Sequence, residues 1–129
     1  GGLLMAVYRI MQINMTQEQV DEVNRSKGVY PEWYQKREAT LFRPSADAIL
    51  DAWDHYETAA YIKADDLDEV FQIGNIGPED NIERMGPMHS ISVGDVIVDT
   101  GYNVAWYVDS FGFGQLGTVH HGKALGYEN

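Results

Sequence analysis

The sequence predicts a single α+β domain, a small and mainly antiparallel β-sheet with two or three helices packed on one face. Three observations carry this. Two runs rich in β-branched and aromatic residues, Val93 to Asp99 and Val104 to Phe111, flank the turn-rich segment Asp99 to Asn103 and predict a β-hairpin over about 93–111. Ala46, Ile49, Leu50 and Trp53 fall at i, i+3, i+4 and i+7, the stripe of an amphipathic helix. A chain of 129 residues with 44% hydrophobic content is large enough to bury a core without disulfides, and it has no cysteine to form them.

In chain order, Gly1 to Leu4 read as a cloning remnant ahead of a natural start at Met5. The domain then spans 5–115. Ala6 to Met15 is an apolar run with Val, Tyr and Ile, favouring a strand. Thr16 with Gln19 three residues on makes a capping box for a surface helix through about Arg25, its narrow inward stripe being Val20 and Val23. Tyr30 to Tyr34 reads as an aromatic loop, serving either to cover the core edge or to stack a ligand. Pro44 and Ser45 open a helix from Ala46 to about Tyr56. Thr58 to Ala64 reads as a strand, and Asp65 as the cap of a helix with Leu67, Val70 and Phe71 inward and Asp66, Asp68 and Glu69 outward. Acids in that first turn complement the helix dipole. Ile76 to Pro87 turns to Gly, Pro, Asn and Asp and predicts a long loop. After the hairpin, 116–129 reads as a Gly-rich flexible tail.

The hairpin register is open from sequence. With a four-residue loop, Asp99 pairs with Val104 and Ile97 with Trp106; one residue more moves Trp106 to the Val96/Val98 face. Both faces carry apolar residues, which predicts cover from the 46–56 and 65–73 helices.

Charge is uneven. Net charge is −11, of which residues 1–64 carry −2 and residues 65–129 carry −9, with only Arg84 and Lys123 basic in the second half. Such a field repels nucleic acid and anionic membrane. It suits a basic protein partner or a cation, and it also keeps a small protein in solution. No apolar run approaches the ~20 residues of a membrane helix. The lack of cysteine and of a signal-peptide pattern suits the cytoplasm.

Catalytic motifs fare poorly. Gly112 to Gly117 is a formal G-x-G-x-x-G, but too few residues follow for the helix, strand and acid of a dinucleotide site. Ser110 lacks the G-x-S-x-G elbow. Asp51, Asp54 and His55 share ligand spacing, but a solvated helix face explains them. Asp65 to Glu69 lacks the glycine and distal glutamate of a calcium loop. His120 and His121 read as a solvent-exposed tail, with a metal or pH-sensitive contact as the alternative. Asp95 and Asp99 would do acid–base chemistry only if held a few ångströms apart in a cleft. No cofactor or metal is expected.

The segments His89-Ser90-Ile91-Ser92-Val93-Gly94-Asp95-Val96-Ile97 and Tyr107-Val108-Asp109-Ser110-Phe111-Gly112-Phe113 resemble the YodL-like family. The preceding Ala64 to Phe71 with Gly74-Asn75 resembles that family's upstream segment, so the likeness covers about 60–115. The resemblance implies a small domain of bacteria, phages and mobile elements, and no established activity. The same residues have physical readings: Ser90 or Ser92 satisfying backbone groups at the strand entry, Gly94 permitting a bulge or close approach, and Asp109-Ser110 ending the second strand.

The function expected from these observations is non-enzymatic. It is a phage- or mobile-element-type accessory protein that binds a host protein through an acidic surface, with a DNA mimic as one variant and a homo-oligomer compatible with it. The candidate surface is Asp65, Asp66, Asp68, Glu69, His89, Asp95, Asp99, Trp106, Tyr107 and Asp109. The alternative is a small-molecule-binding module or hydrolase with a pocket near His89, Asp95, Asp109 and Trp106, drawing also on the aromatics Trp33, Tyr34 and Tyr107.

Overall fold

The computed structural model describes residues 5–120 and 123–124; the expected remnant at 1–4, His121 and the end of the expected tail lie outside them. The elements are β1 (Ala6–Gln12), α1 (Gln17–Arg25), α2 (Glu32–Phe42), α3 (Ala46–Asp51), a 3₁₀ turn (Trp53–His55), β2 (Glu57–Ala64), α4 (Leu67–Asn75), a second 3₁₀ turn (Glu79–Asn81), β3 (Ile82–Arg84), β4 (Val96–Asp99), β5 (Val104–Asp109), β6 (Gly112–His120) and the two-residue β7 (Lys123–Ala124). The strands form one antiparallel sheet in the order β3-β2-β1-β4-β5-β6-β7. The α+β class is therefore as expected.

The helices cover both faces, not one. α3 and its 3₁₀ turn place Ile49, Ala52, Trp53 and Tyr56 over Met11, Val96, Val98, Ala105 and Leu116. On the other face, α4 places Val70 and Ile73 over Tyr8, Ile10, Ile62, Ile97 and Val108. Strand side chains alternate between faces, so central strands apolar at consecutive positions need cover on both sides. β4 meets this condition, being buried along its whole length.

The shorter register holds in the hairpin: Asp99 pairs with Val104, Ile97 with Trp106 and Val96 with Tyr107. Asp99 Oδ1 accepts from the Gly101 and Tyr102 amides at 2.8 and 3.3 Å. Asn103 takes a left-handed φ of 55°, which asparagine tolerates. These two features close the loop at four residues. Val93 to Asp95 form a turn before β4, so the hairpin proper is shorter than 93–111.

Several boundaries shift. α1 carries its full capping box on Thr16 and Gln19 and has no buried residue. The expected aromatic loop at Tyr30 to Tyr34 instead runs into α2, with Pro31 at its N-cap. Trp33 and Tyr34 sit in its first turn, and Trp33 Nε1 donates to Glu22 of α1 at 3.0 Å. Trp33 thus joins the two helices. α4 is capped by Asp66, one residue later than expected, and it buries Val70 and Ile73 while Phe71 remains exposed. The 76–87 segment contains β3, which pairs with β2.

The largest correction concerns the C-terminal end. The expected tail begins inside β6, which pairs with β5 from Asp109↔Gly112 to Val104↔Thr118. Leu116 is fully buried in the α3-side core. Leu116→Ala should therefore cost about 3 kcal/mol in urea denaturation. A loss below about 0.5 kcal/mol, the level of a surface change, would contradict the placement of β6.

Candidate functional site

Asp95 lies where three parts of the chain meet. The turn Ser92–Asp95 is closed by the Asp95 amide donating to the Ser92 carbonyl at 3.0 Å. It is fastened to β5 by two further bonds: the Gly94 amide donates to Val108 O at 2.9 Å, and the Val108 amide to Asp95 O at 2.8 Å. Gly94 has φ +92°, and a Cβ there would sit 2.6 Å from the Thr40 carbonyl oxygen of α2. Close approach to α2 is therefore what the glycine permits. The Ser92 backbone, rather than either serine hydroxyl, does the hydrogen bonding in this turn.

The Asp95 side chain is buried. One oxygen, Oδ2, accepts from the Ser92 amide at 2.9 Å and from Gln12 Nε2 at 3.0 Å. Gln12, fully buried at the end of β1, also exchanges two bonds with the His89 backbone, donating to its carbonyl at 2.9 Å and accepting from its amide at 3.1 Å. His89 Nδ1 lies 3.9 Å from the same Asp95 oxygen and 2.8 Å from the Ser90 carbonyl, so Nδ1 carries the hydrogen. Burial pushes the Asp95 carboxyl up to about 6, opposed by the Ser92 amide, His89, Gln12 and Arg37. The Tyr56 hydroxyl donates to the Gly94 carbonyl. Burial raises its pKa above the ordinary phenol value; the Thr40 hydrogen bond opposes this and Asp95 adds to it.

Beside this node is a cleft of ≈190 Å³ between α2 and the turn, where Arg37, Thr40, Tyr56, His89, Ser92 and Asp95 supply the polar lining. Arg37 Nε is buried without a hydrogen-bond partner among the described residues.

A second, larger depression of ≈510 Å³ lies between α4 and the β5–β6 turn. Ile91 and Val108 are its buried residues, Phe71, Phe111 and Phe113 its aromatic ones, and Asp68 and Asp109 its charges.

The expected site residues therefore divide. His89 and Asp95 come together, but Asp109 lines the other depression. Asp99 stands at the far end of β4, about 13 Å along the strand from Asp95, and holds the hairpin turn; the two cannot share a proton-transfer site. Trp106 pairs with Ile97 and lines neither cavity, while Tyr107 points to the opposite sheet face and packs on the α3-side core. Trp33 bonds Glu22 of α1 and meets Tyr34 edge-on, and neither aromatic lines the two cavities. Asp66 Oδ1 accepts the Glu69 amide at 2.8 Å and Glu69 Oε1 the Asp65 amide at 2.9 Å, so both side chains cap α4. Asp65 and Asp68 are exposed. Asp51 lies 3.9 Å from Lys36. Among the described residues, no three His, Asp or Glu side chains converge as a metal ligand set, and no helix is long and apolar enough to cross a membrane.

Sequence reasoning missed Gln12, Arg37, Thr40 and Tyr56. The one signal for Gln12 was a polar residue ending an apolar strand. Comparison with family models, with curated proteins and with solved structures finds no match to this chain.

Proposed function

We infer that this chain is a non-enzymatic accessory protein that binds and modulates a host protein through its acidic half. The phage or mobile-element setting and the cytoplasmic location follow the YodL-like resemblance and the cysteine-free sequence. The observation that carries the binding reading is the company its exposed acids keep. Asp65 and Asp68 stand at the start of α4 beside exposed Phe71, and Asp109 and exposed Phe111 stand across the depression. Carboxylates around exposed aromatic surface suit a protein partner whose contact face is apolar with a basic border. A DNA mimic draws less support, because Asp66 and Glu69 turn their carboxylates onto backbone amides instead of forming a phosphate-like row.

The test is capture of a partner from a bacterial lysate on the immobilised chain, at low and high salt. A specific partner should be held at low salt and released as salt rises. It should be lost from a D65N/D66N/D68N/E69Q variant whose circular dichroism is unchanged. Salt-insensitive capture, equal for both chains, would remove the acidic surface from the account.

One observation favours a second reading, a small-molecule-binding module: Arg37 Nε, at the edge of the ≈190 Å³ cleft, is buried without an acceptor among the described residues. A small anionic ligand retained in native mass spectrometry and lost in Arg37→Ala would carry that reading; an unliganded mass under the same conditions would remove it.

A further inference from the structure

The depression between α4 and the β5–β6 turn has a chemistry more specific than general acidity. Its apolar surface comes from buried Ile91 and Val108 with Phe113 half-buried, and exposed Phe71 and Phe111 add to it. Both charged residues that line it, Asp68 and Asp109, are acids, and no cation lines it among the described residues. Asp109 is held in place by accepting the Ser110 amide at 2.7 Å. A volume of ≈510 Å³ falls in the range of sites that enclose a ligand group. The half of the chain that supplies every residue named in its lining, 65–129, carries −9.

We propose that this groove is a docking site for a short basic segment of a partner protein, one large apolar side chain entering between Phe71 and Phe113 while flanking lysines or arginines meet Asp68 and Asp109. This deepens, and rests on, the acidic-surface reading above. The apolar anchor supplies most of the contact energy by leaving water. The carboxylate rim selects for cationic flanks and speeds encounter, and it disfavours acidic segments through like-charge repulsion. A neutral apolar segment would gain the contact area without the charge pairing.

The experiment uses the full chain and a dye-labelled five-residue probe with a central tryptophan between paired lysines. Companion probes replace the lysines by glutamine or the tryptophan by glycine. Fluorescence anisotropy should show the parent probe binding more tightly than either companion. D68N/D109N should weaken it about fivefold, the scale of two exposed ion pairs. Phe111→Ser, at a fully exposed position where folding is not at stake, should weaken it as well. E18Q/D47N, which removes two exposed acids elsewhere, should leave it unchanged. If the parent probe binds but D68N/D109N and Phe111→Ser behave like E18Q/D47N, the groove is wrong while the acidic surface stands. If neither lysine-bearing probe binds up to about 1 mM, the groove and the acidic-surface reading both fail.

Discussion

Asp95→Asn is expected to abolish a stability loss of roughly 2 kcal/mol that the parent chain suffers as pH rises from 4 to 7, and Asp95→Ala to destabilise the fold across that range. The folded carboxyl binds its proton more tightly than the unfolded one, because burial raises its value from 3.8 to about 6. The stabilising contribution is thus fully present below the ordinary value and is lost as pH rises through about 6, at ~1.4 kcal/mol per unit. Both Asp95 side-chain hydrogen bonds enter one oxygen, Oδ2, so an asparagine amide oxygen in the same place keeps them. Alanine instead leaves the Ser92 amide and Gln12 Nε2 without their acceptor, at ~1–3 kcal/mol for each group left unpaired. Urea denaturation across this pH range checks it, read as the difference between parent and Asp95→Asn so that the other titrating groups cancel. Parallel curves would mean that Asp95 is ionised without penalty in the fold.

Gly94→Ala is expected to be the most damaging glycine replacement. A side chain at φ +92° is strained, by about 1–2 kcal/mol. Its Cβ would also meet the Thr40 carbonyl oxygen at 2.6 Å. That atom is helix backbone, so relief requires moving α2 away from the turn, and a total loss of at least ~3 kcal/mol should follow. At Gly86 a Cβ meets nothing within 4 Å and φ is ordinary, so Gly86→Ala should change stability by less than about 0.5 kcal/mol. Denaturation midpoints of the two variants give the comparison directly. Equal midpoints would contradict the packing of the turn on α2.

How far the sequence speaks depends on where each signal is local. β1, α1, β2 and the hairpin are legible because the β-branched and aromatic runs and the Thr16–Gln19 capping box lie within a few residues. α2 is hidden by Glu32, Lys36, Arg37 and Glu38, which interrupt its apolar stripe and leave only Thr40 buried. β6 is hidden by glycines that resemble a tail. Gly114 pairs with Tyr107, whose ring lies where a Cβ would be, 2.2 Å from its Cζ. The glycine is there to receive an aromatic ring, a cross-strand cause no local pattern reveals. The site is divided for the same reason. His89 and Asp95 belong to one turn and are legible together, whereas Gln12 is 83 residues from Asp95 and meets it only because β1 pairs with β4. The groove draws on α4, the segment before β4 and the β5–β6 turn. Its acids and aromatics are visible in the sequence, but their meeting is a product of the sheet order.

The central claim is that the His89–Asp95 turn serves the fold and that partner binding belongs to the groove. Amide chemical-shift mapping of the isotope-labelled chain, titrated with the lysine–tryptophan probe, tests this most directly. Shifts should concentrate at Asp68 to Phe71, Ile91 and Val108 to Phe113, with Arg37, Thr40 and Tyr56 unmoved. Shifts centred on Arg37, Thr40, Tyr56 and His89, or spread evenly over every acidic surface, would contradict it.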